Sequence, residues 1–105
     1  MIIPGITTLD NSLIIQVLSG CEEVDRAILY GSRAMGNYKP SSDIDIALVG
    51  SNLNLQILNN LTAQFAELSI PYTLDISIQN QIKNQALLDH ISHAGIPLYI
   101  KNQVL

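Results

Sequence analysis

Two short segments carry residue types that handle phosphate and metal: Gly31-Ser32, and a spacer later Ser42-Asp43-Ile44-Asp45. The run Ser42 to Val49 alternates polar and β-branched or apolar residues, the pattern of a half-buried strand. Side chains two apart on a strand share a face, so Asp43 and Asp45 project together while Ile44, Ile46 and Leu48 project the other way. Two carboxylates held that close repel each other unless a cation lies between them. Oxygen ligands of this kind suit Mg²⁺ or Mn²⁺, which keep several waters and share their remaining positions with substrate phosphates.

Upstream, Ala27-Ile28-Leu29-Tyr30 reads as a strand ending at Gly31-Ser32, and Arg33-Ala34-Met35 starts a short helix with Ser32 near its first turn. A glycine lets the backbone approach an anion closely, and the Ser32 hydroxyl can bond a terminal phosphate. A third carboxylate lies further along. Tyr72 to Ile78 alternates, with Tyr72, Leu74, Ile76 and Ile78 on one face and Thr73, Asp75 and Ser77 on the other. If this strand neighbours the Asp43-Asp45 strand, three carboxylates converge on one surface. Such a set can hold two metal ions, and the third group can take the proton of an attacking hydroxyl.

These segments together resemble the signature of the nucleotidyltransferase superfamily with a DNA polymerase β-like palm. The resemblance is carried by Gly31-Ser32-Arg33-Ala34-x-Gly36, Ser42-Asp43-Ile44-Asp45, the separate Asp75 and the closing Gly95-Ile96-Pro97-Leu98-Tyr99. It is closest to the minimal nucleotidyltransferase (MNT) group, whose members are little more than the palm. It implies a mixed sheet of about four strands with helices covering one face. It also implies two Mg²⁺ ions, or Mn²⁺, on Asp43, Asp45 and Asp75, and nucleotide contacts from Gly31, Ser32, Arg33 and Ser42, with ATP as substrate. The MNT member of a toxin–antitoxin pair is the antitoxin, which transfers AMP to a tyrosine of a helical HEPN ribonuclease toxin. The expected partner is therefore a HEPN protein, in a hetero-oligomer. Two other readings stand beside this one: neutralisation of the partner by binding alone, and nucleotidyl transfer to a small molecule. The latter usually needs a further acceptor-binding domain.

The elements that must position these residues follow from periodicity. Asp10 is expected to cap a first helix carrying Leu13, Ile14, Val17 and Leu18, with Gly20 ending it. Strand one is expected around Val24–Tyr30. After the second strand, Ser51 to Asn54 opens a helix with Leu55, Leu58, Leu61, Phe65 and Leu68 along one side, and Ile70-Pro71 is expected to stop it. The third strand is Tyr72–Ile78. A last helix over about 84–92 leads to Gly95 and a short strand at Pro97-Leu98-Tyr99-Ile100. Strands alternating with helices give an α/β or α+β sheet, and the carboxylate-bearing face has to stay open.

Composition sets the remaining bounds. The 105 residues read as one domain, 1–105, with a modest core. Five basic residues form no run and the net charge is −4, which argues against direct nucleic acid binding. One cysteine, Cys21, excludes an internal disulfide and reads as a packing residue. No signal peptide or membrane span is apparent in the sequence, so a cytoplasmic location is expected. Hydrophobic residues make up 48% and charged residues 13%, so part of the apolar surface is expected to meet another chain. Tyr38 and Lys39 fall in the loop before the aspartate pair and read as solvated. His90 and His93 lie three apart, a spacing that can bind metal, but without a third ligand nearby they read as ordinary helix residues.

Overall fold

In the computed structural model, which describes residues 1–102, the chain runs α1 (Thr8–Ser19), β1 (Arg26–Tyr30), α2 (Ser32–Met35), β2 (Ile44–Val49), α3 (Leu55–Ala66), β3 (Leu74–Ile78), α4 (Gln85–Ala94) and β4 (Ile96–Ile100). A short 3₁₀ turn, Gln79–Gln81, follows β3. The four strands form one mixed sheet in the order β3-β2-β1-β4. β1 pairs antiparallel with β2 and β4, and β2 pairs parallel with β3. The parallel pair needs a crossover, which α3 supplies.

Alternation along the strands sorts two faces. Ala27, Leu29, Ile44, Ile46 and Leu48 point into the main core with Ile3, Ile14, Leu18, Leu61, Phe65 and Leu98, under α1 and α3. Ile28, Tyr30 and Ala47 face the other way, where Ile91 of α4 packs on them. Thus α1 and α3 cover one face, and α4 adds a partial cover to the second. The rest of that second face carries Asp45 and Asp75.

Local chemistry explains the boundaries, some of which differ from expectation. Thr7, not Asp10, caps α1: its backbone is extended and its hydroxyl accepts from the Asp10 N–H at 3.1 Å. Asp10 stands in the first turn, where a negative charge meets the positive end of the helix. Asn54 caps α3 through a bond from the Ile57 N–H at 2.9 Å. Leu55, at 66% exposed, lies outside the apolar stripe that Leu61 and Phe65 form. α3 ends at Ala66, before Pro71, so proline is not its terminator; Leu68 and Ile70 pack on the core from the connection instead. β1 begins at Arg26, after the buried Val24, and β3 begins at Leu74. Asn84 caps α4, accepting from the Leu87 N–H at 3.1 Å. β4 is an edge strand, where Pro97 costs no interior ladder bond. A register shift there opposes Ala27 to Tyr99 but Ile28 to Pro97, which lets Leu98 and Tyr99 both pack toward the main core. Cys21 is partly buried against that core, as a packing residue should be.

The first residues are tied down from within the fold. Asn11 is buried on α1; its Oδ1 accepts from the Ile3 N–H at 2.8 Å and its Nδ2 donates to the Met1 carbonyl at 3.0 Å. Among the described residues, no helix is long and apolar enough to cross a membrane.

Candidate nucleotidyl-transfer site

Because β1 ends where β2 and β3 begin, one end of the sheet gathers the chemistry. The pairing register sets Tyr30 opposite Asp45, and Asp45 beside Asp75, in a row across three strands. One step along, Ile28, Ala47 and Ser77 form the next row on the same face. Asp43 lies one residue ahead of β2 and is exposed, as is Asp75, whereas Asp45 between them is half-buried. Burial is the first cause that raises the Asp45 carboxyl above its ordinary acidity, followed by repulsion from Asp75 and then Asp43; His90 acts the other way. The Tyr30 phenol is likewise pushed up, first by burial and then by the Asp45 and Asp75 charges, with Ser77 opposing.

Gly31 closes this end of β1. Its φ is 76° and its ψ −159°, a conformation that glycine alone adopts readily. A Cβ at Gly31 would run into the Asp45 carboxylate, so the turn and the aspartate are packed directly together. The Gly31 carbonyl accepts from the N–H groups of Ala34 and Met35, both at 3.1 Å, which turns the chain into α2. Ser32 follows at the start of that helix, partly exposed.

Arg33 is turned inward. At 1% exposed it is buried, and its guanidinium donates to backbone carbonyls: to Ser42 from Nε at 3.2 Å and Nη2 at 2.9 Å, to Pro40 at 3.4 Å and to Pro4 at 2.9 Å. The rings of Tyr38 and Tyr72 lie 5.1 Å from it, one centroid each. Its donors are thus engaged by backbone carbonyls inside the protein. Tyr38 is part of this clamp rather than a solvated loop residue. Ser42 is also engaged internally: its hydroxyl accepts from the Lys39 N–H at 2.8 Å and its N–H donates to the Lys39 carbonyl at 2.9 Å. Both residues therefore shape the loop that delivers Asp43 and Asp45.

His90, expected as an ordinary helix residue, is part of the site. It reaches the site from α4, and its Nε2 accepts the Gly31 N–H at 2.9 Å. Its ring also meets the Tyr30 ring edge-on, centroids 6.0 Å apart at 76°. Nothing local signals this, since the contact spans 59 residues. His93 instead turns its Nδ1 to the Asp89 carbonyl at 2.7 Å, outside the site.

Among the described residues, no three His, Cys, Asp or Glu side chains are gathered closely enough, as they stand, to enclose a metal ion. The donor set nevertheless fits Mg²⁺ or Mn²⁺ in kind. Asp45 and Asp75 lie side by side, Asp43 is near enough to add to the repulsion on Asp45, and a divalent cation would relieve that part of the shift.

A Gly-Ser turn packed against the central one of three carboxylates, on the open face of a small mixed sheet, defines the class of a polymerase β-type nucleotidyltransferase. The family description "Polymerase beta, Nucleotidyltransferase" matches residues 12–104, and the chain belongs to that family. No match was found among curated proteins. Solved structures share the fold. One described as a toxin-antitoxin with AMP-PNP superposes with a TM-score of 0.71 at 22% identity, over 90% of this chain and 76% of the other. A second, a tri-AMPylated Shewanella oneidensis HEPN toxin in complex with MNT antitoxin, gives 0.65 at 21% identity, over 90% and 73%. A third, the toxin-antitoxin MntA-HepT, gives 0.65 at 20% identity, over 92% and 75%.

Proposed function

We propose that this chain transfers AMP from ATP to a hydroxyl group, a tyrosine, of a HEPN toxin and thereby serves as its antitoxin. The observation that carries the reading is the in-register placing of Asp45 beside Asp75 with Gly31 packed against the Asp45 carboxylate. Family membership supports nucleotidyl transfer. The tri-AMPylated HEPN toxin held by an MNT antitoxin of the same fold supports AMP as the group transferred and a HEPN protein as its acceptor.

In this reading Gly31 and Ser32 receive the β- and γ-phosphates, the glycine by allowing close approach and the serine by donating its hydroxyl. Asp43, Asp45 and Asp75 would hold two divalent ions, which supply charge neutralisation at the α-phosphate and the leaving pyrophosphate when bound. Asp75, exposed at the rim of the row, accepts the proton of the incoming hydroxyl. The hydroxyl oxygen bonds to the α-phosphorus as the bond to the bridging oxygen breaks, and pyrophosphate leaves. Little of this is covalent work by the protein, so catalysis rests on positioning and electrostatics.

The test is the intact mass of the HEPN partner after co-expression with the wild-type chain and with an Asp43→Ala, Asp45→Ala double variant. The expected result is one or more AMP increments with the wild-type chain and none with the variant. An unmodified partner in both, with the proteins folded and neutralisation intact, overturns the transferase reading in favour of neutralisation by binding alone.

A further inference from the structure

We infer that His90 is a positioning residue that holds the Gly31-Ser32 turn in its nucleotide-receiving shape by accepting the Gly31 N–H. The inference rests on the nucleotide reading of the site given above, and it assigns to α4 a task in that site.

Gly31 is held at three points. Its carbonyl is tied to the first turn of α2 by Ala34 and Met35, its Cα faces Asp45, and its N–H ends on His90 Nε2 at 2.9 Å. The positive φ of Gly31 is open to glycine but is one of several conformations glycine visits, so an added restraint decides which one is populated. His90 is itself held. Its ring rests edge-on against Tyr30, which is buried, and the next residue, Ile91, is buried against Ile28, Tyr30 and Ala47. For Nε2 to accept, it must carry no proton, so this contact calls for the Nδ1–H tautomer. A turn fixed beforehand spares the nucleotide the cost of ordering it on binding.

The inference predicts that the acceptor atom, more than the ring, is what matters. Glutamine places its Oε1 about where the histidine Nε2 lies, whereas leucine fills similar volume with no acceptor. His90→Leu should therefore expose the Gly31 amide to faster hydrogen exchange and weaken Mg²⁺·AMP-PNP binding by roughly fivefold to tenfold, the worth of one hydrogen bond. His90→Gln should restore both. If His90→Leu fails to fold, His90→Asn replaces it, because its shorter side chain cannot reach Gly31.

Full-length wild-type and variant chains are compared by amide exchange in NMR and by titration with Mg²⁺·AMP-PNP. Equal Gly31 exchange and equal affinity in wild type and the acceptor-free variant overturn the role given to His90 while leaving the nucleotide site in place. A His90→Gln variant as impaired as His90→Leu overturns it too. Failure of the wild-type chain to bind Mg²⁺·AMP-PNP at all overturns the nucleotide reading, and this inference with it.

Discussion

The Arg33 guanidinium donates twice to the carbonyl of Ser42, the residue immediately before Asp43. This charge is buried under the loop that leads into β2 and Asp45. The same side chain reaches the Pro4 carbonyl, so the N-terminal segment, the 36–43 loop and, through Tyr72, the approach to β3 share one anchor.

Arg33→Lys should destabilise the protein by about 2–4 kcal/mol, since an ammonium cannot reproduce the planar fork and a buried cation with unmet partners is costly. Urea unfolding followed by circular dichroism measures this. Loss of activity in that variant should track loss of fold, and a folded variant with undiminished stability and abolished nucleotide binding would return Arg33 to the phosphates.

Asp45→Asn should raise stability at neutral pH while reducing nucleotidyl transfer on the order of 10²–10³-fold, as removal of a strong electrostatic stabiliser does. The Asp45 carboxyl is raised above its unfolded value, chiefly by burial and then by Asp75 and Asp43. The folded protein thus binds that proton more tightly than the unfolded chain does. Its favourable contribution is complete below the unfolded carboxyl pKa of about 4 and is lost as pH rises through the folded value. The stability advantage of Asp45→Asn should accordingly be present at pH 7 and shrink toward zero on acidification, as read by thermal melting across pH. Millimolar Mg²⁺ should raise the wild-type midpoint and leave that of the variant nearly unchanged.

Gly31→Ala should cost about 1–3 kcal/mol from its positive φ alone. The cost should rise further because the new methyl meets the Asp45 carboxylate. Pairing it with Asp45→Gly removes that obstacle, so the double variant should recover the part of the loss due to collision and none of the part due to the backbone. Denaturation midpoints of the two single variants and the double variant separate the terms.

Ser77→Ala should leave stability unchanged or slightly higher. Its Oγ is buried with no partner at good hydrogen-bond geometry, although the Tyr30 hydroxyl is close enough to be felt in the acidity of that phenol. Removing an unpaired buried hydroxyl relieves a desolvation cost. A large loss of stability would show that Tyr30 and Ser77 are bonded in solution.

Period-two alternation in residues 42–49 and 72–78 was enough to put Asp45 and Asp75 on polar strand faces, because which face a side chain takes is a local property of extended backbone. The helix carried by Leu61 and Phe65 was legible for the same kind of reason, a period set within one element. That Asp45 and Asp75 stand side by side is a matter of strand order and register, which depend on how α3 folds the chain back. Arg33 was expected among the nucleotide contacts on the family resemblance alone. Only the packing of Pro4, Tyr38 and Tyr72 around it removes it from solvent. His90 was invisible as a partner of Gly31 because a hydrogen bond across 59 residues leaves no periodic trace, and it exists only where α4 crosses the second face of the sheet. The amino-acid sequence by itself determined which chemical groups are present and which way each strand turns them; the tertiary structure decided which of them meet, since those meetings are made by long-range closure and packing.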